Sequence, residues 1–431
     1  MALMLGDFPV QEVRFGSTTA YADGVLTLDR EELLALVRED GRVLDARLDL
    51  AHPGESARVV RVHDVIPAMA KVDGPGQVYP GQVGRPIDAV GSGRTHRLTG
   101  FAVVECGDDS RQTIDAVTRR IRGESGNGST IEMSGPGAGD PPGTVIPYSG
   151  LRLLVLTIEV DGSGGHEAYD EAKRGAAFRL ADRVARTVVG QTPRVVEELD
   201  LAVRDRALPG AVFVANLRSS EHHVGPRSGI GTAVYGITRL SAPWLLAPTE
   251  VLDGAVTRKT TWYQVNNPVV VEMCRRHGRD LNFLGVIVQR TNWTSLPEKQ
   301  LAARRVGELA SAIGAQGAVI TVDVRGNRFI EAMYGLQACE QRGVKAVLLT
   351  VEEPSEGGQA PPLIFSTPEV CSVVSCGDAS VPGPFPAVER VLGAFDPMPS
   401  TYAERPGEPG GHTARYWPDY YGWGRQSCRE F

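Results

Sequence analysis

Hydrophobic positions along the chain follow two rhythms, and the change between them divides it. From Val10 to about Arg120, short runs such as Gly24-Val-Leu-Thr-Leu28, Val43-Leu-Asp-Ala-Arg-Leu48 and Ala57-Arg-Val-Val-Arg-Val62 alternate or are β-branched, and Gly and Pro punctuate them. A period of two puts alternate side chains on opposite faces of a strand, so this stretch predicts a β-rich or α+β N-terminal domain. A Gly/Pro/Ser-rich connection follows over 122–149.

The second rhythm begins at Leu151–Val160, which reads as a buried strand. Glu167–Val188 then carries Ala172, Ala176, Leu180, Val184 and Val188 at a four-residue step, with Ala177 and Ala181 beside them, predicting an amphipathic helix. Ala211-Val-Phe-Val-Ala215 is a further apolar strand, which would close a strand–helix–strand unit. Further on, Phe283–Val288 predicts a strand, and Ser295 with Glu298 three residues later is a capping box, with Pro297 tolerated in the first turn. Ala302, Val306, Leu309, Ala310 and Ile313 form the inward face of that helix. Strands over Ala318–Val322, Val344–Leu349 and Cys371–Val374 alternate with helices over about Phe329–Gln341, closed by Gly343, and around Pro386–Leu392. Continuous apolar strands between helices predict largely parallel, doubly wound α/β sheets covered on both faces. The pattern divides into a β-rich domain (1–125), a connection (126–149), an α/β segment (150–256), a central loop (257–268), a C-terminal α/β domain (269–395) and a tail (396–431).

The tail is rich in Pro and Gly and then carries Tyr416, Trp417, Tyr420, Tyr421 and Trp423, more apolar area than a solvated segment holds. It reads as an arm docking on its own body or on a partner. With 431 residues, 42% of them hydrophobic and 23% charged, the chain has the makeup of a soluble globular protein. Its formal charge of −7 without a basic stripe argues against nucleic acid or anionic lipid as partners. The N-terminus lacks the charged head and apolar core of a secretory signal and no apolar run approaches a membrane span, so a cytoplasmic location is expected. The cysteines are scattered without a Cys-x-x-Cys pair, which fits reduced, mostly structural thiols.

In doubly wound sheets, ligands sit beyond the carboxyl ends of the strands. Those ends are Gln289–Asn292, Asp323–Asn327, Val351–Glu353 and Ser375–Asp378, making Asp323 and Asn327 candidates for substrate binding. Cys376 is the thiol with a position for reactivity, the alternative being an inert strand-end cysteine. His63-Asp64 and His96 lie in the N-terminal domain; a histidine there can donate a proton near neutral pH or serve as a hydrogen-bonded structural residue. His222-His223 does not make a metal pair, because adjacent strand residues face opposite sides. Gly74-Pro-Gly76 and Gly135-Pro-Gly137 read as turns rather than phosphate loops, since proline deletes an N–H that an anion would use.

Several ordered segments go further. His52-Pro-Gly-Glu-Ser56, His63-Asp64, Val72-Asp-Gly-Pro-Gly76, Pro80-Gly81, Gly91-Ser-Gly-Arg-Thr-His96, Met133-Ser-Gly-Pro-Gly-Ala138, Pro248-Thr-Glu-Val-Leu-Asp-Gly254 and Leu281-Asn-Phe-Leu-Gly-Val-Ile287 resemble, in order and spacing, the proprotein subunit of component B of the glycine/sarcosine/betaine reductases. In that family, the resemblance implies, a cysteine after the Pro248–Gly254 segment cleaves its own chain and leaves a pyruvoyl group. The carbonyl captures an amine as a Schiff base, and a selenolate or thiolate on a partner subunit breaks the C–N bond. Here Gly254–Tyr263 holds no cysteine or serine, and Thr257, Thr260 and Thr261 are its only hydroxyls. The expectation is an uncut loop without a pyruvoyl group or another cofactor.

Around that loop, Arg258 and Lys259 would grip a carboxylate or stay solvated. Glu250 and Asp253 would act as acid or base if burial raises their proton affinity. Asn266 and Asn267 would orient a substrate carbonyl, or are ordinary turn formers. The expected role is that of a subunit in a component B-like heteromeric complex acting at a C–N or C–S bond of a small amino-acid-like or carboxylate substrate, beside a partner carrying the redox-active Cys or selenocysteine. The alternative is a scaffold that shapes the partner's pocket.

Overall fold

The computed structural model describes residues 2–82, 84–107, 129–135, 148–202, 205–218, 232–238, 240–257, 260–291, 293–322, 327–352, 363–378 and 387–398; the side chains of 129, 165–167, 218, 327, 351–352 and 375–378 also lie outside the described set. Burial alternates along the strand Val25–Asp29 and much of Val43–Ala51, whereas Ala57–Asp73 and Gly93–Gly107 are buried over most of their length. Among the described residues an eight-stranded sheet forms around a long antiparallel pair, β6 (Ala57–Asp73) and β7 (Gly93–Gly107). β1 (Leu3–Pro9) runs parallel to the first half of β7 and β9 (Arg152–Val160) parallel to its second half. β5 (Val43–Ala51) extends β9, and β10 (Val195–Leu199) extends β1, both antiparallel. β8 (Ser129–Glu132) pairs with the start of β6. A small sheet of β2 (Glu12–Gly16), β3 (Ala20–Ala22) and β4 (Val25–Asp29) leads into α1 (Arg30–Val37), where the Asp29 side chain accepts from Glu31 N at 3.0 Å and Glu32 N at 3.1 Å. α2 (Gly165–Ala185) lays the expected stripe, Ala172, Ala176, Leu180 and Val184, on β6 and β7, and all four are buried.

The second sheet has the order β13 (Trp244–Leu246), β15 (Asn282–Thr291), β11 (Gly210–Arg218), β16 (Gly317–Val322), β17 (Lys345–Glu352), β18 (Val373–Asp378). All neighbours in it are parallel except β13, as the apolar strands predicted. α6 (Leu296–Ala312) and α7 (Asn327–Glu340) cover one face, with Val306, Ala310, Met333 and Leu336 buried against Val214 and Ile320. The Ser295 capping box is formed: Ser295 N donates to Glu298 at 2.8 Å and Glu298 N to Ser295 Oγ at 3.4 Å. The other face shares a core with the first sheet through Phe213, Val286, Trp262 and Met273.

Two local expectations change. The strand–helix–strand unit over 151–215 is divided, because β9 pairs with β5 and β7 in the first sheet while β11 sits in the second between β15 and β16. A strand's apolar run does not encode which sheet it joins. The helix expected around Pro386–Leu392 is instead, over its described part, β19 (Arg390–Leu392), parallel to Ala57–Val59 of β6. The start of β6 offers unpaired backbone groups there, and Glu389 N and Arg390 N donate to Ser56 O at 2.9 and 3.1 Å. No helix among the described residues is long and apolar enough to cross a membrane. The aromatic tail, His222-His223 and Gly137 lie outside the described residues.

Candidate functional site

The central segment is a series of short elements pinned between the two sheets. α3 (Pro248–Leu252) leads through Gly254 into β14 (Val256–Thr257), which pairs antiparallel with β12 (Ala233–Val234). α4 (Thr261–Val265) and α5 (Pro268–Arg276) follow. Two glycines make the approach possible. At Gly91 (φ 92°) a Cβ would lie 2.6 Å from Glu250 N, and at Gly254 (φ 91°) it would lie 2.6 Å from Tyr79 Cδ1.

Asp253 fastens this segment to the first sheet. Its wholly buried carboxylate pairs with Lys71 Nζ and accepts from Thr95 Oγ1 at 2.5 Å and Gly91 N at 2.8 Å. Lys71 and Thr95 stand opposite each other in the β6–β7 register, so one face of one cross-strand pair holds the acid. Glu250 turns back on its own helix start, accepting from Ala247 N and from the Tyr235 hydroxyl. Asn267 caps α5, accepting from Val269 N at 3.1 Å and Val270 N at 3.2 Å, so the turn-forming alternative describes its carboxamide oxygen. Asn266 is buried beside it at the end of α4. His96 points to the other face of β7, where Phe8 lies 4.9 Å away and Nδ1 meets Val188 O at 3.0 Å. Burial lowers its proton affinity, and the period of two that puts Thr95 on Asp253 turns His96 away from it.

A second cluster lies under the other end of the loop. A bulge in β6, next to Arg61 at φ 55°, sets Asp64 directly opposite Glu105 of β7. Two carboxyls facing each other on adjacent strands repel unless cations answer them, and α2 supplies Lys173 and Arg174. Arg174 lies 3.9 Å from Asp64, and Lys173 Nζ lies 3.8 Å from Glu105 Oε1. Asp64 also accepts from Thr261 N and Thr261 Oγ1, both at 2.6 Å, which ties the loop to the cluster. Thr260 shares a 2.7 Å hydrogen bond with the buried Tyr148 hydroxyl, and the rings of Tyr148, Trp262 and Tyr263 pack together at 5.3–5.8 Å.

Burial raises the proton affinity of all three acids here. It pushes the Glu105 carboxyl up to about 7 against the pull of Lys173, and Asp170, one turn before Arg174, up to about 6. Asp64 is raised by burial too, although Arg174 and Thr261 oppose the shift. Acids in this range exchange protons near neutral pH, which is what general acid–base chemistry requires.

Arg258, Lys259 and Asp323 lie outside the described residues. Asn327 opens α7 and Cys376 lies in β18, with both side chains outside the described set. The structure therefore brings Glu250 and Asp253 to one frame, leaves His96 apart, and adds Lys71, Thr95, Glu105, Asp170, Lys173 and Arg174, which the pattern reading passed over. Their signal was present: Lys173 precedes Ala177 and Ala181 on one helical stripe, and Glu105 ends the apolar run Phe101-Ala-Val-Val. A charge in an apolar stripe marks a buried ion.

A family model described as glycine/sarcosine/betaine reductase component B subunits matches residues 1–404. The chain is 32% identical over 412 residues to the sarcosine reductase complex component B subunit alpha of Peptoclostridium acidaminophilum, covering 92% of this chain and 90% of that one. It is 32% identical over 418 residues to the betaine reductase complex component B subunit alpha of the same organism, covering 92% and 89%. Against the glycine reductase complex component B subunits alpha and beta of Acetoanaerobium sticklandii it is 27% identical over 417 residues, covering 91% and 89%. No solved structure gives a significant match. The chain belongs to the glycine/sarcosine/betaine reductase component B subunit family.

Proposed function

We propose that the chain is a subunit of a component B-like heteromeric complex that cleaves or exchanges a C–N or C–S bond of a small amino-acid-like or carboxylate substrate, without a pyruvoyl group. A partner subunit supplies the redox-active cysteine or selenocysteine. The observation that carries this reading is the buried cluster of Asp64, Glu105, Asp170, Lys173 and Arg174 beneath a loop that has the family's flanks and no cysteine or serine. Arg258 and Lys259 follow Thr257 directly and add cations for a substrate carboxylate. Glu105 and Asp170 hold and release protons, while Asp253 positions the loop through Lys71 and Thr95.

The scaffold reading keeps one observation in its favour: the Asp253 carboxylate and the Asn267 carboxamide oxygen are occupied by bonds that hold the fold. Co-purification with the neighbouring Cys- or selenocysteine-bearing subunit, followed by turnover assays on small amines, thioethers and acids, separates the two. The catalytic reading expects Glu105→Gln to cut turnover at least tenfold in a complex that still assembles. Unchanged turnover in that complex would leave the scaffold.

A further inference from the structure

The cluster beneath the loop contains a nucleophile that this reaction does not use. Lys173 is 1% exposed, and its amine lies 5.0 Å from the Tyr169 ring and 3.8 Å from Glu105 Oε1. It also fills the space beside Gly107, where a Cβ would come 2.3 Å from Lys173 Nζ and 2.9 Å from His63 Nε2. Arg174, next in sequence, is 3% exposed. None of its three guanidinium nitrogens makes a hydrogen bond among the described residues, and neither does either carboxyl oxygen of Glu105. The Arg174 guanidinium and the Asp64 carboxylate face each other across 3.9 Å, too far for a hydrogen bond. Buried donors and acceptors left in this state are costly, so the arrangement suits a molecule that brings a carboxylate for the guanidinium fork and an oxygen for the acid.

We propose that Lys173 forms a reversible Schiff base with a small 2-oxo acid whose carboxylate is held by Arg174. The lysine nitrogen uses its lone pair to form a bond to the carbonyl carbon, and the carbonyl π pair moves to oxygen. Glu105 protonates that oxygen, and His63, beside the amine at Gly107, takes a proton that the nitrogen loses. His63 gives that proton to the resulting hydroxyl, which leaves as water while the nitrogen lone pair forms the carbon–nitrogen double bond, and the Glu105 carboxylate takes the remaining nitrogen proton. Amine and carbonyl give imine and water, and no electrons enter or leave. Removal from water favours the neutral, nucleophilic form of a lysine amine, and Lys173 is 1% exposed. This rests on the same cluster as the proposed function, but on neither the partner subunit nor its thiol.

The test uses the isolated full-length chain with pyruvate and sodium borohydride, followed by proteolysis and mass spectrometry. One reduced pyruvate adduct on the peptide containing Lys173 is expected, absent from the borohydride-only control. Lys173→Met abolishes it, and Arg174→Gln lowers its yield at least tenfold while the circular dichroism spectrum is kept. An adduct spread over surface lysines, or none on the Lys173 peptide of the unaltered chain, overturns the proposal without touching complex turnover. Conversely, trapping at Lys173 in a chain that supports no turnover with its partner would remove the proposed function and leave this chemistry.

Discussion

Replacing Asp253 with asparagine keeps the shape of the side chain and removes one charge from the best-fastened point of the loop frame. Three donors converge on the carboxylate: Thr95 Oγ1 at 2.5 Å, Gly91 N at 2.8 Å and Lys71 Nζ. Thr95 and Gly91 bond to different oxygens of the carboxylate, so a single asparagine oxygen keeps one of these donors and its NH2 group turns toward the other. Lys71, with a side chain 5% exposed, would keep its charge without its counterion. Losing one neutral hydrogen bond costs about 1 kcal/mol. Stranding a buried ion by removing its partner costs about 3–5 kcal/mol. The second term dominates, so equilibrium urea unfolding of Asp253→Asn should show a loss of about 3–5 kcal/mol, and adding Lys71→Met should restore more than half of it. A loss below about 1 kcal/mol, or no recovery in the double variant, would refute the view that this carboxylate anchors the loop through a buried ion pair.

The remaining expectations concern the second cluster and the loop itself. Glu105 and Asp170, raised to about 7 and about 6, hold protons in the native state that the unfolded chain has already released. Their contribution to stability is full below ordinary carboxylate values and is lost as pH rises through about 6 to 7, so unfolding midpoints should fall across that window and Glu105→Gln should flatten the fall. Thr261→Val deletes one 2.6 Å donor to Asp64 and leaves the backbone donor, which should cost about 1.5–3 kcal/mol in the same denaturation assay. Intact-mass measurement should give one species at 46.2 kDa; two fragments summing to it, with a break near Thr257–Thr261, would show that a threonine cleaves the chain.

The sequence pattern recovered elements better than their partners. The pattern placed β6, β9, β15 and α6 because its signal is local to each element, a nearly continuous buried run in the three strands and a buried stripe in the helix. It joined β9 to β11 across α2 because sheet membership is decided by edge-to-edge pairing between distant segments, which leaves no local trace. β19 is three residues long, too short for any period to register, and its partner is more than three hundred residues away. Around the candidate site, Asp253 and Glu250 stand out in the sequence by their place beside the loop. Lys173, Arg174 and Glu105 were masked by the apolar residues around them, and the Asp64–Glu105 pairing depends on a bulge that only the three-dimensional register reveals.

The course of the chain through its two sheets decides what a break in the central loop would do. β11 comes before the loop and lies between β15 and β16, which come after it, while β19 comes after the loop and lies on β6, which comes before it. Each half of the polypeptide thus contributes backbone to the sheet dominated by the other, so the halves are interleaved rather than stacked. Cutting one peptide bond near Thr260 would remove neither set of ladder hydrogen bonds nor the shared core of Phe213, Val286 and Trp262. The two pieces would stay locked as a pair that only unfolding could part, which gives this architecture the latitude to change the covalent state of its loop without losing its shape.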